Sequence, residues 1–295
     1  MARQPEKKQD PETTGHEWDG IEELNNPLPR WWLWTFYATI IWGVGYTIAY
    51  PAWPMVSGAT AGVLGFSTRA QVAEQISEVE ARNAALETQL ASADLTTISA
   101  NGGELYNYAV QGGAAIFRTN CSQCHGSGAA GAKGYPNLLD DAWLWGGTIE
   151  DIQYTVTHGI RNEQSPDTRW SEMPAFGADG ILSDEEIGEV VQYVLQISGQ
   201  GHDAALAGAG ETLFLDNCAA CHGDEGLGDV YVGAPNLTDA IWLYGGDPVT
   251  LTETVTNARF GVMPAWSEEY RTAAGLTEAE INAVATYVHQ LGGGE

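Results

Sequence analysis

The chain has 295 residues, 44% of them hydrophobic, with 39 acidic against 12 basic side chains and a formal charge of −27. That length accommodates two domains of ordinary size. Gripping a phosphate backbone requires clustered Lys and Arg, so nucleic acid is excluded as a partner, whereas a basic protein is favoured by the field.

Residues 1–30 carry seven acids together with Arg3, Lys7, Lys8 and Arg30, and from Trp31 to Thr68 no side chain is charged. The stretch Trp31 to Tyr50 is 20 residues long, enough for a helix to cover the roughly 30 Å hydrocarbon core of a bilayer. Pro29 suits a helix start and Pro51 and Pro54 oppose its continuation. Trp31, Trp32 and Trp34 at one end, and Tyr46, Tyr50 and Trp53 at the other, resemble interfacial belts. The acidic flank and the length of the run argue for an uncleaved anchor over residues 31–54 rather than a signal peptide. The density of basic residues before the span places residues 1–30 in the cytoplasm and the remainder in the periplasm. Within the periplasmic linker, 55–100, the apolar positions Val72, Ile76, Val79, Leu86 and Leu90 predict an amphipathic helix from Arg69 to about Leu95.

From about Asn101 the chain repeats itself. Asn120–Gly126 (NCSQCHG) answers to Asn217–Gly223 (NCAACHG), Tyr135–Gly147 to Ala234–Gly246, and Met173–Phe176 to Met263–Trp266. Ser183 with Glu186, and Thr277 with Glu280, open a final apolar-periodic run in each copy with a capping-box pattern. Helices carrying Phe117 and Phe214 are expected before the Cys motifs, and neither copy offers alternating strands. Two small α-domains follow, 101–200 and 205–295, joined by a linker over Ile197 to Gly210.

All four cysteines lie in the two Cys-x-x-Cys-His motifs. Such a pair can exchange disulfides, hold half a zinc site, or attach haem. Zinc needs further ligands at matching spacing, and the remaining histidines do not recur between copies. A thioredoxin-like site needs a βαβ context, and a structural disulfide leaves His125 and His222 without a role. Covalent haem c uses every residue: Cys121 and Cys124 form thioethers while His125 reaches iron, and Cys218, Cys221 and His222 do the same in the second copy. The two remaining methionines beyond the start and the anchor, Met173 and Met263, are the expected sixth ligands. Spacing assigns each Met to its own repeat, with exchange between two packed domains left open, and His158 is the rival ligand in the first copy. Pro136 and Pro235 are candidates to accept the Nδ1 hydrogen of His125 and His222, and Arg161 and Arg259 to offset the charge of haem propionates.

Helix, Cys-x-x-Cys-His, Pro-Asn-Leu, Met-Pro and terminal helix, in that order, resemble class I cytochrome c. Two such modules behind Glu17–Pro54 (EWDGIEELNNPLPRWWLWTFYATIIWGVGYTIAYPAWP) resemble the diheme subunit family of cbb3-type cytochrome c oxidases. The resemblance implies an all-α chain: one N-terminal transmembrane helix in a bacterial inner membrane, then two tandem class I cytochrome c domains holding two haem c groups. It further implies electron transfer from a cytochrome c donor toward a monohaem subunit and a haem–copper subunit that reduces oxygen to water and pumps protons. No oxygen-reducing site is expected in this chain. A free-standing membrane diheme shuttle is the alternative, and a diheme peroxidase or a gas sensor would need an iron with an open face.

Overall fold

The computed structural model describes residues 11–293; Arg3, Lys7 and Lys8, on which the orientation of the anchor rests, lie outside the described residues. Thr13–Trp18 (β1) and Ile21–Leu24 (β2) pair antiparallel. Between them Asp19 and Gly20 both take positive φ, 48° and 83°, the conformation that makes Asp-Gly a tight hairpin turn. A second two-stranded pair, Pro54–Met55 (β3) with Gly58–Ala59 (β4), follows the next helix. The expectation of a wholly α chain is therefore corrected for the N-terminal region.

That helix, α1, runs over Arg30–Ala49 and buries none of its residues. The transmembrane expectation meets a second correction: among the described residues no helix is long and apolar enough to cross a membrane. Four Trp, two Tyr, three Thr and two Gly occupy its 20 positions, and these lower its mean hydropathy although none is charged.

α2 spans Thr68–Ala91, and Leu90, one residue before its end, is 1% exposed. Leu90, Leu95 and Ile98, the last two in α3 (Leu95–Asn101), belong to the core that also contains Phe117. The first small domain thus begins before residue 101, since an apolar face at the end of the expected linker is part of its interior.

The remaining helices are α4 (Glu104–Ile116), α5 (Ser122–His125), α6 (Ile149–His158), α7 (Asp184–Ile197), α8 (Ala204–Asn217), α9 (Ala219–His222), α10 (Pro248–Asn257) and α11 (Glu278–His289). Between α4 and α5 lies a π-helical turn, Phe117–Cys121. Ser183 and Thr277 form complete capping boxes with Glu186 and Glu280, as the pattern predicts. The linker is only 198–203; Ala204–Gly210, expected in it, is the first part of α8.

The two cores do not follow the two repeats. α11, from the second repeat, packs on α4 and α6 of the first, while α7, from the first repeat, packs on α8 and α10 of the second. One core joins Phe117, Ile149, Ile152 and Val156 to Ile281, Val284 and Val288; the other joins Ile187, Val190, Val191 and Val194 to Phe214, Leu251 and Val255. Sequential domains at 101–200 and 205–295 are replaced by a contiguous second domain nested between the two parts of the first. A six-residue connection holds α7 and α8 as neighbours, the usual outcome of a short helix–helix link. The crossings are close: a Cβ on Gly113 in α4 would lie 2.1 Å from the Ala283 carbonyl oxygen of α11, and one on Gly210 in α8 would lie 2.0 Å from that of Glu189 in α7. Phe117 packs against Tyr287 with ring centroids 5.5 Å apart, and Phe214 against Tyr193 at 5.2 Å. Burying each Phe contributes roughly 2–3 kcal/mol.

Candidate functional site

Each Cys-x-x-Cys-His closes a helix that turns away at a glycine with positive φ, Gly126 (78°) and Gly223 (76°). The following loop returns so that the Pro136 carbonyl lies 3.0 Å from His125 Nδ1 and the Pro235 carbonyl 3.0 Å from His222 Nδ1. A carbonyl can only accept, so Nδ1 holds the proton and Nε2 keeps a lone pair available to a metal. Burial lowers both histidine pKa values, with the proline carbonyls opposing, and each imidazole is neutral at physiological pH. Burial also pushes the thiols of Cys121 and Cys218 up to about 11, with Cys124 and Cys221 adding to the effect.

Two apolar cavities hold these groups. The first is lined by Cys121, His125, Pro136, Trp145 and Met263. The second is lined by Cys218, Cys221, His222, Pro235 and Met173. The pairing of each Met with its own repeat is therefore corrected: Met263 shares a cavity with His125, and Met173 with His222. The exchange of helices explains it, because each Met-Pro segment leads into the terminal helix that crossed over. Met263 is fixed to the first domain by two backbone bonds, Ile160 N–H to its carbonyl (2.9 Å) and its own N–H to the Ile160 carbonyl (3.0 Å). His158 is not among the residues lining either cavity; its Nδ1 lies 3.1 Å from the Ser165 hydroxyl.

Arg161 and Arg259 both line the second cavity, so they are not one per domain. Arg259 lies over the Tyr244 ring (4.7 Å to the centroid), donates to the Thr250 carbonyl and pairs with Glu253 at 3.2 Å. Arg161 donates to the carbonyls of Gly261 and Ser171 and lies over Phe260. The first-domain counterpart of Arg259 is Arg169, over the Trp145 and Tyr154 rings at 5.7 and 5.0 Å and paired with Asp151 at 2.7 Å. Sequence reasoning passed over Arg169 because it lies in the segment from Arg161 to Met173, 12 positions (173 − 161) against 4 (263 − 259) in the second copy. A lone cation in that excess of an acidic chain was the available signal.

Residues 10–57 match the N-terminal domain of cytochrome oxidase-cbb3, FixP; residues 109–194 match cytochrome c oxidase, cbb3-type, subunit III; and residues 207–292 match cytochrome c. A cbb3-type cytochrome c oxidase subunit CcoP of Cereibacter sphaeroides is 63% identical over the whole of both chains. A CcoP of Rhodobacter capsulatus is 57% identical, again over the whole of both. A FixP of Azorhizobium caulinodans is 52% identical over 97% of this chain and 94% of its own. The chain belongs to the CcoP/FixP family of cbb3-type oxidase subunits. As a CcoP/FixP subunit it carries two covalent haem c groups and serves electron transfer in an oxidase complex. The residues present fit that cofactor: an imidazole with a fixed tautomer and a Met thioether line each apolar cavity, with the Cys121 thiol in the first, Cys124 one helical turn away on α5, and the thiols of both Cys218 and Cys221 in the second. The matched segments run along the sequence repeats, while the cores of this CcoP/FixP chain are assembled across them.

Proposed function

We propose that this chain takes single electrons from a cytochrome c donor and hands them to the next subunits of its oxidase, with α1 as its contact with the inner membrane and both haem domains in the periplasm. The observation that carries the reading is the matched pair of cavities, each presenting a neutral His with Nδ1 held by a proline carbonyl and a Met thioether. Bound haem c supplies a one-electron Fe(III)/Fe(II) couple, and His/Met ligation raises its potential toward an oxidant. Cys121, Cys124, Cys218 and Cys221 hold the two groups covalently. His125 with Met263, and His222 with Met173, would hold the iron of the first and second haem, and irons so held would leave oxygen chemistry to another subunit. Arg161, Arg259 and Arg169 supply positive charge beside otherwise apolar walls and offset the burial of propionates. The uncharged run from Trp31 to Thr68 and the side chains of α1, exposed or half-buried throughout, support the membrane contact.

Purification in mild detergent through a tag on this chain tests the reading. Copper, haem b and oxygen uptake with reduced cytochrome c should co-elute with two haems c per chain. A chain that elutes alone with its haems from a complex-preserving detergent would favour the free-standing shuttle.

A further inference from the structure

The two cavities meet at a reciprocal contact. Trp145, which is 7% exposed and lines the first cavity, sits against the backbone of Gly233, which lines the second. A Cβ on Gly233 would lie 2.3 Å from the Trp145 ring, so only glycine admits the indole. The related position of the second repeat, Tyr244, faces Gly134 in the same way, with a Cβ there 3.3 Å from the Tyr244 ring. Gly134 N–H donates to the Leu243 carbonyl at 2.8 Å. Leu144 lines both cavities and a groove of about 1000 Å³. From Gly233 the chain reaches Pro235 in two residues, and the Pro235 carbonyl orients His222. One aromatic ring thus touches the wall of the first site and the loop that orients the ligand of the second.

We propose that Trp145 is a positioning residue for electron exchange between the two haems: seated on Gly233, it fixes their separation, and with Leu144 it forms the wall the electron crosses. The step needs no other reactant. One Fe(II) becomes Fe(III) as the facing Fe(III) becomes Fe(II), and no proton moves. The Tyr244–Gly134 contact holds the opposite side, so the two domains cannot rock about Trp145 alone.

The proposal rests on the two-haem reading, and haem content measured on each variant separates its failure from the failure of that reading. Full-length holoprotein carrying Trp145→Ala is compared with Trp145→Tyr, the residue the second repeat uses. The Soret circular dichroism couplet reports haem–haem geometry, and fast reduction of one haem followed by re-equilibration reports the exchange rate. Because Trp145 lines the cavity of His125, Trp145→Ala should lose the couplet and slow exchange by more than any shift in the potential of that haem accounts for, while the potential of the haem held by His222 stays unchanged; Trp145→Tyr should restore the couplet and the rate. An unchanged couplet and rate in Trp145→Ala would overturn the proposal, as would equal loss in Trp145→Tyr. Should Trp145→Ala not fold, Gly134→Ala, which pushes on Tyr244 from the opposite side, takes its place: a changed couplet with intact potentials supports the proposal, and an unchanged one overturns it.

Discussion

Asn282 offers a sharp test of the crossed architecture. It lies in α11, in the second repeat, yet it is 1% exposed within the first domain. Its Nδ2 donates to the Leu90 carbonyl at the end of α2 (2.9 Å), and its Oδ1 accepts from Gln153 Nε2 on α6 (2.8 Å). Asn282→Ala removes both bonds and leaves two polar groups facing a side chain that cannot answer them. A net hydrogen bond is worth about 1 kcal/mol and a buried unsatisfied group costs about 1–3 kcal/mol, so the loss should be about 2–4 kcal/mol. Asn282→Asp should cost more, because a carboxylate oxygen would face the Leu90 carbonyl. Denaturant unfolding of the full-length holoprotein, followed by haem absorbance, gives the loss. Limited proteolysis between 83 and 101 reports whether the end of α2 has been freed. The destabilisation should fall on the haem bound by His125. A loss under about 0.5 kcal/mol, the range of ordinary surface substitutions, or early release of the haem bound by His222, would refute the reasoning.

Three other outcomes are expected. Gly113→Ala and Gly210→Ala should each destabilise by about 1–3 kcal/mol in thermal unfolding, because overpacking of a close crossing outweighs the better helix propensity of alanine. Asp94, Glu186 and Asp247 are held below their ordinary values, Asp94 and Asp247 by hydrogen bonds from Thr96 and Thr250 and Glu186 by the Ser183 backbone. A depressed carboxylate stabilises fully above its ordinary pKa, 3.8 for Asp and 4.5 for Glu, and that contribution is lost as pH falls through the lowered value. Glu186→Gln should therefore weaken α7 at neutral pH, and the gap from the parent protein should close below pH 4.5, as acid unfolding curves would show. The charge of −27 predicts that reduction by a basic cytochrome c slows as ionic strength rises, and a stopped-flow rate independent of salt would remove electrostatic steering.

Local features were legible in the sequence. The Cys-x-x-Cys-His motifs, the Pro-Asn-Leu loops that place a carbonyl on each imidazole, and the capping boxes each depend on residues a few positions apart. The assembly of the domains was not legible, because the repeats are near-equivalent partners: α4 could meet α7 or α11 by pattern alone, and either Met could fill either cavity. The short 198–203 connection and the Gly113 and Gly210 crossings settle the matter through packing far apart in the chain. Arg169 escaped because comparison of the repeats paired Arg161 with Arg259 and had nothing to set against the extra segment. The hairpin at β1 and β2 was signalled by Asp19-Gly20, but alternating apolar residues do not flank it. The Trp-rich run of α1 has the length of a span while its polar aromatics and Thr residues keep its hydropathy low.

The most direct test of the crossed haem sites uses a chain carrying Cys218→Ser and Cys221→Ser, which attaches haem only at Cys121 and Cys124. The near-infrared charge-transfer band of thioether-ligated ferric haem is recorded with Met263→Ala or Met173→Ala added. The structure predicts that Met263→Ala abolishes the band and Met173→Ala leaves it. Survival of the band in Met263→Ala, with its loss in Met173→Ala, would contradict the account.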